Sequence, residues 1–277
     1  MSESSPTPRT QSEAETYQRL RAHLSFLKLA DAAEALPRLL DEARSSKLPV
    51  IETLEALLGV EVAATEERRL VSRLRFACLP APWGLADFDY SAQPGIDEAL
   101  IRELATLRFI DEGANVLFIG PPGVGKTMLA VGLARAGAEA GHRVYFTTAS
   151  DLAARCRKAA IEGRWATMMR FYAGPKLLVL DELGYLTLPA DAAAALFQVI
   201  NTRYTNGSST LITTNVGIGS WATAFGDDPM VAAAMLDRLL HRGVVVGIDG
   251  PSYRLRSHQA RAEALRTGTQ VKPDANQ

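Results

Sequence analysis

Gly120-Pro121-Pro122-Gly123-Val124-Gly125-Lys126-Thr127 carries the pattern G-x-x-x-x-G-K-[ST], a set of residue types suited to holding a polyphosphate. Its glycines let the backbone wrap around an anion and take positive φ where a side chain would obstruct. Amide groups and the N-terminus of a following helix then point at the phosphates. In this pattern Lys126 reaches the β- and γ-phosphates, and the Thr127 hydroxyl binds Mg²⁺. The expected nucleotide-contacting set is Gly120, Pro121, Pro122, Gly123, Val124, Gly125, Lys126, Thr127 and Met128.

Three further constellations follow along the chain. Leu177-Leu178-Val179-Leu180-Asp181-Glu182 is an apolar run ending in two carboxylates. Asp181 is suited to holding Mg²⁺, and Glu182 to polarising the attacking water, a role that needs an anion facing the γ-phosphate. Ser209-Thr210-Leu211-Ile212-Thr213-Thr214-Asn215 ends in an amide that could orient that water. Arg238, within Met235-Leu236-Asp237-Arg238-Leu239-Leu240-His241-Arg242, could stabilise transition-state charge on a neighbouring subunit's nucleotide. Taken alone, Asn215 reads as a cap after a strand, and Arg238 as a surface ion-pair partner of Asp237.

These residues need strands that end at one edge. Val116–Ile119, Val144–Phe146, Leu177–Leu180 and Leu211–Thr213 are short apolar runs without polar alternation, as in strands buried on both faces of a parallel sheet. Helices are predicted to start near Lys126, Asp151 and Asp191, and Val244–Val246 before Asp249-Gly250 reads as an edge hairpin. Upstream, Tyr17, Leu20, Leu24 and Leu27, then Leu36, Leu39 and Leu40, then Ile51, Leu54, Leu57 and Leu58 keep helical spacing, continued by Leu70 and Leu74. Pro37 and Pro49 are placed in the first turns of helices. The expected division is a disordered start over 1–12, a helical domain over 13–78, a linker over 79–95 marked by its Pro and Gly breakers, an α/β core over 96–262 and a flexible tail over 263–277.

Composition closes off other classes. The 277 residues hold 30 Lys+Arg against 31 Asp+Glu, and 47% are hydrophobic, so a sizeable core is available without a uniformly basic surface. Two cysteines, Cys78 and Cys156, build no disulfide framework and, with four histidines, show no zinc spacing. No apolar run approaches a membrane span, and Met1–Ser12 is polar with Pro6 and Pro8, unlike a secretory signal. A reducing, cytoplasmic location without membrane attachment is expected.

Together with Asp181-Glu182-Leu183-Gly184-Tyr185-Leu186, Phe197–Tyr204, Thr213-Thr214-Asn215, Asp237–His241 and Ser252–Arg256, the phosphate loop resembles that of the IstB-like insertion-sequence ATPases, AAA+ helper proteins related to DnaC helicase loaders. The resemblance extends back through Asp87-Phe88-Asp89-Tyr90 into the helical segment. It implies an AAA+ core of parallel sheet sandwiched by helices, without the usual C-terminal lid, behind a small helical N-terminal domain. It implies ATP and Mg²⁺ as cofactors, ATP-dependent homo-oligomers around double-stranded DNA, and a partner transposase of the integrase type. Arg238 matches the family's trans-acting arginine finger, and Arg254 lies near a second phosphate sensor. Arg242 departs from the family, which often has histidine beside His241, and is assigned no role.

Net neutrality conceals local positive charge. Arg68, Arg69, Arg73 and Arg75 lie within eight residues on a predicted helix; Arg155, Arg157, Lys158, Arg164 and Arg170 lie between the second strand and Lys176. Relatives insert a helical element at the second position to line a DNA channel. Arg68, Arg69, Arg73, Arg75, Arg155, Lys158 and Arg164 are the expected phosphate-backbone contacts, carrying little base information. Charge runs are commonly solvated helix faces, and Glu66, Glu67 and Glu162 partly offset these. The expected function is a transposition helper that assembles on target DNA, remodels it and recruits or stimulates a transposase, with hydrolysis driving disassembly. The alternative is a DnaC-like helicase loader. A small-molecule P-loop kinase leaves Asn215 and Arg238 without a role.

Overall fold

The computed structural model describes residues 9–185, 187–225, 228–253, 255 and 266. Arg254, most of the expected start and all of the expected tail except Arg266 lie outside the described residues. The chain forms two compact units, Met1–Val71 and Ser72–Gln277.

The first unit is helical, with α1 (Arg9–Phe26), α2 (Ala30–Ser46) and most of α3 (Val50–Ala77). Leu24, Ala32, Leu36, Leu39 and Leu57 are buried together, the inward part of the stripes that the leucine spacing predicts. Leu20, Leu27, Leu54 and Leu58, from the same stripes, stay exposed, because three helices have little surface with which to cover them. Pro49 stands at the entry to α3, its carbonyl accepting from Thr53 N at 3.1 Å. Pro37 does not start a helix: α2 continues through it with the ring exposed, giving up one amide donor.

One buried carboxylate joins two of these helices. Glu61 of α3 is 5% exposed and accepts from the first-turn amide of Ala32 at 3.0 Å, so it caps the N-terminus of α2 from outside. Its second oxygen takes Arg68 Nη2 at 3.0 Å, while Arg68 Nη1 pairs with Asp31. Asp31, followed by Glu61, holds the Arg68 guanidinium above its ordinary pKa.

In the second unit, residues 79–95 make two 3₁₀ turns, Leu85–Asp87 and Tyr90–Ala92, and bury Phe88, Ala92 and Gln93. There follow α4 (Glu98–Leu104), α5 (Arg108–Asp111), β1 (Asn115–Ile119), α6 (Lys126–Glu139), β2 (Val144–Thr148), α7 (Ala149–Ile161), α8 (Trp165–Ala173), β3 (Leu177–Leu183), α9 (Ala190–Thr205), β4 (Ser209–Thr214), α10 (Trp221–Ala224), α11 (Pro229–Leu240) and β5 (Gly243–Gly247). The strands form one parallel sheet in the order β2-β3-β4-β1-β5. Alternate residues enter opposite layers: Val116, Phe118, Val179 and Leu211 pack with α6, whereas Leu117, Leu178, Leu180 and Ile212 pack with residues of α7, α9 and α11. This is an α/β architecture, a parallel sheet between two helical layers, and it explains why the strands read as unbroken apolar runs. Among the described residues no helix is long and apolar enough to cross a membrane.

Among the described residues the expected edge hairpin is not formed. β5 lies at the sheet edge but runs parallel to β1, with Val245 opposite Leu117. The Asp249-Gly250 turn instead sends the chain back over the phosphate loop, where Tyr253 N donates to Gly123 O at 2.9 Å.

Two buried polar side chains lock the frame. Arg203 of α9 is 0% exposed and donates to Thr210 Oγ1, to the carbonyls of Tyr172, Pro175 and Lys176, and to that of Ser209. Burial lowers its pKa to about 9, which leaves it charged at neutral pH with its donors satisfied. Asn115 accepts from Thr210 N at 2.9 Å and donates to Leu239 O at 3.1 Å, joining β1, β4 and the end of α11. Cys156 is core: burial pushes its thiol up to about 11.

The Glu61 cap generates a stability prediction. Glu61→Ala removes the acceptor of Ala32 N and one partner of Arg68, and should destabilise the full-length protein by about 1–3 kcal/mol in denaturant unfolding. Unchanged stability would show that the cap is energetically idle.

Candidate nucleotide site

The parallel sheet brings the C-terminal ends of β1, β3 and β4 to one edge, with β4 between the other two. β1 leads into the phosphate loop, whose Gly125 has φ 95° immediately before α6. Gly123 also has positive φ, and a Cβ there would meet Ser252 Oγ at 2.1 Å. A Cβ on Gly125 would meet the Phe88 ring at 2.5 Å. The loop is therefore clasped between the 79–95 segment and the chain after β5, and only glycine fits at these two contacts. Lys126 Nζ donates to the carbonyls of Gly120 at 2.7 Å and Pro121 at 2.8 Å, which sets the ammonium across the mouth of the loop.

Beside the loop lies a cavity of about 230 Å³. Trp83, Phe88, Val124, Met128 and Tyr253 give it apolar walls; Asp87, Asp89 and Gln93 add polar groups, and Lys126 and Thr127 close its phosphate side. An aromatic-walled recess opening onto a phosphate loop fits the base and ribose of a nucleotide. Of the expected contacts, Gly123, Val124, Gly125, Lys126, Thr127 and Met128 line it. Gly120, Pro121 and Pro122 form the preceding part of the loop, with both prolines exposed. The phosphate-loop motif does not specify the cavity walls from 79–95 and from Tyr253, since no local pattern tells which distant segments will cover a loop.

Asp181 is brought to the start of α6. Thr127 Oγ1 donates to its two carboxylate oxygens at 3.0 and 3.2 Å, although the residues are 54 apart in sequence. A hydroxyl and a carboxylate, both hard oxygen donors, meet beside a phosphate loop: a donor set that fits Mg²⁺ bound to phosphate. Asp181 is 5% exposed, while Glu182 beside it is exposed.

The divergence of these two neighbours has a backbone cause. Leu180 and Leu183 both pack in the layer of α7, α9 and α11, yet they are three residues apart, an odd step that a regular strand would send to opposite faces. A β-bulge between them restores the parity. Glu182 carries it, with φ 60°, a left-handed conformation that L-residues other than Asn and Asp adopt at a cost of about 1–2 kcal/mol.

The structure distributes the other expected residues unevenly. Asn215 lies one residue beyond β4, exposed, and among the described residues it makes no hydrogen bond to Asp181 or Glu182. Thr213 makes those bonds instead: its hydroxyl donates to Asp181 Oδ1 and accepts from Glu182 N at 3.0 Å. Arg238 is half-buried on α11, donating from Nε to Asn201 Oδ1 at 2.7 Å and from Nη1 to Ala234 O at 2.8 Å, over the Phe197 ring at 4.9 Å.

The arginine-rich segments are mostly self-paired. Arg68 serves the Glu61 cap, Arg69 pairs with Glu66 at 2.7 Å, and Arg73 Nε donates to Ala138 O at 2.8 Å near the end of α6. Arg75 is exposed. Arg155 donates to Tyr145 Oη at 2.8 Å, Lys158 and Arg164 both face Glu162, and Arg157 grips Asp191 with two bonds. Arg164 holds the Glu162 carboxyl below its ordinary range, and Arg157 does the same for Asp191. Exposed pairs of this kind are weak, so their cations are exchangeable to phosphate.

Comparison with known proteins agrees with this geometry. Residues 22–261 match the family model described as IstB-like ATP binding protein. The chain is 37% identical over 246 residues to an ATP-binding protein assigned to insertion sequence IS5376 of Geobacillus stearothermophilus, covering 89% of this chain and 97% of that one. It is likewise 37% identical over 255 residues to its counterpart in insertion sequence IS21 of Pseudomonas aeruginosa, covering 92% and 96%. Among solved structures, AMPPCP-bound DnaA from Aquifex aeolicus superposes with a TM-score of 0.52 at 18% identity, over 71% of this chain and 59% of that one, a likeness of fold alone.

The strained bulge can be tested by itself. Glu182→Asn places a residue tolerant of left-handed φ at that position and should raise unfolding stability by about 0.5–1 kcal/mol, a rise in Tm of a few degrees by calorimetry. A fall in Tm would mean that the Glu182 side chain contributes more than its backbone strain costs.

Proposed function

The chain belongs to the family of IstB-like ATP binding proteins, and on that footing we propose that it is a Mg²⁺-dependent ATPase that assembles on duplex DNA, remodels it and recruits or stimulates an integrase-type transposase. The observation that carries the ATPase reading is the meeting of Thr127 with Asp181 beside Lys126, which a site for mere anion binding has no need of. Mg²⁺ held by Thr127 and Asp181 would supply charge neutralisation at the phosphate oxygens. Lys126 moves from the loop carbonyls to the β- and γ-phosphates as these enter, exchanging two neutral acceptors for anionic ones. Glu182, exposed at the bulge, takes the proton of the attacking water. Asn215, at the end of the neighbouring strand, is available to that water from the other side.

Arg238 would act on the nucleotide of an adjacent subunit. Its bonds to Asn201 and Ala234 hold the guanidinium stem, so little conformational entropy is lost when it engages a phosphate. A trans-acting arginine ties hydrolysis to assembly: subunits associate around bound ATP, and loss of the γ-phosphate removes the group on which the contact is built.

This role is open to a mixing experiment. Glu182→Gln and Arg238→Ala proteins should each bind ATP and each hydrolyse it at least about 100-fold more slowly than the parent. Mixed on duplex DNA, they should recover part of the activity, because an intact Glu182 from one subunit can meet an intact Arg238 from its neighbour. No recovery, with mixed assemblies confirmed by sedimentation, would place Arg238 in its own subunit's site.

DNA contact would draw on Arg68, Arg69, Arg73, Arg75, Arg155, Lys158 and Arg164. Backbone binding by such residues releases counterions, so affinity should fall linearly in log–log dependence on salt, with similar values for unrelated duplexes. Substituting both Lys158 and Arg164 by Ala should flatten the slope by about 2. An unchanged slope in fluorescence-anisotropy titrations would remove the α7–α8 segment from the DNA surface.

A further inference from the structure

The bulge at the end of β3 sets two carboxylates against a single residue of β4. Leu180 pairs with Ile212 and Leu183 with Thr214, so Asp181 and Glu182 together face Thr213. With the register shifted, the Glu182 amide is met by a side chain, Thr213 Oγ1 at 3.0 Å. The same hydroxyl donates to Asp181 Oδ1, which also receives the Thr127 hydroxyl at 3.0 Å. A threonine hydroxyl has one hydrogen to give. Because that hydrogen goes to the carboxylate, its lone pairs are what remain for the Glu182 amide, and the direction of both bonds is set.

Thr213 is 1% exposed, so bulk water has no ready access to replace either bond if the hydroxyl is removed. Its donation to Oδ1 orients the carboxylate plane from the β4 side and leaves Oδ2 unengaged by β4. Its acceptance from Glu182 N holds the left-handed residue from which the second carboxylate projects. A valine has the same shape and the same preference for a strand, so packing alone would be served equally well without oxygen.

We propose that Thr213 is a positioning residue of the nucleotide site, its single hydroxyl fixing Asp181 for the metal and Glu182 for the attacking water at the same time. This rests on the roles assigned above to Asp181 and Glu182. It also gives a physical use for the second residue before Asn215, since Thr213 belongs to the strand between the ends of β1 and β3 and can reach what Asn215, one residue past the strand, does not.

The test uses full-length Thr213→Val, Thr213→Ala and Thr213→Ser, with a fluorescent ATP analogue titrated in EDTA and then against Mg²⁺, beside steady-state hydrolysis. The Val and Ala proteins should bind the analogue in EDTA within about twofold of the parent, since Lys126 and the loop are untouched. The Mg²⁺ concentration giving half of the affinity gain should rise at least about fivefold, and kcat should fall at least about tenfold with KM for ATP little changed. Thr213→Ser, which keeps the hydroxyl, should restore both readouts. Parental Mg²⁺ dependence and kcat in Val and Ala would overturn the proposal, as would a Ser protein as impaired as Val. Loss of fold in both Val and Ala by circular dichroism would assign the hydroxyl to folding and overturn the positioning role. A parent protein whose analogue affinity ignores Mg²⁺ would defeat the reading of the site and this proposal with it. A parent that responds to Mg²⁺ yet hydrolyses nothing would defeat only the water-activating role of Glu182, and the Mg²⁺ titration would still judge Thr213.

Discussion

The contact between Thr127 and Asp181 is the one on which the candidate site depends. It joins the first turn of α6 to the end of β3, two segments that share no local sequence, and it exists because a parallel sheet delivers every strand end to one edge. The order β2-β3-β4-β1-β5 puts β4 between the phosphate loop and the carboxylates. The residue at the end of β4 can therefore bond the carboxylate that also receives the Thr127 hydroxyl, and Thr213 does so. Asp181 can be buried without destabilising the core because two hydroxyls reach its oxygens.

Around this contact the protein uses its buried polar side chains as fasteners. Asn115 ties the start of β1 to β4 and to the end of α11, and so fixes the helix that carries Arg238. Arg203 gathers the carbonyls at the starts of β3 and β4, opposite the nucleotide end of the sheet. Each has its donors or acceptors met, by backbone and, for Arg203, also by the Thr210 hydroxyl, the condition under which a buried polar group rigidifies a frame. Glu61 does the same service in the N-terminal unit, where Arg68, an arginine expected to meet DNA, also holds the cap.

One strained residue sits where chemistry is expected. Among the described residues, Glu182 is one of five non-glycine residues with positive φ, and the only one of the five in a strand. A regular strand would bury either Asp181 or Leu183 on the wrong face. The bulge lets an acid enter the phosphate side, a second acid face outward and a leucine return to the core within three residues.

The phosphate loop, the carboxylate pair and the α/β class were legible in the chain itself, because each is written in consecutive residues. A glycine pattern specifies backbone freedom, and an unbroken apolar run specifies burial on both faces. The inward leucines of the helical unit were legible as well, although spacing alone did not say which of them a three-helix unit would leave exposed. The Pro37 position and the β5 pairing differ from the local expectation because a solvent-facing proline and a three-valine run carry no information about what comes to pack beside them. Only the tertiary structure decided that the cavity is walled by Phe88, Trp83 and Tyr253, that Thr213 bonds both the Asp181 carboxylate and the Glu182 amide, and that Arg68, Arg73 and Arg157 are held by Asp31, Ala138 and Asp191. Those outcomes depend on contacts between residues tens of positions apart, and on the parity of one bulge, which no local run of amino acids encodes.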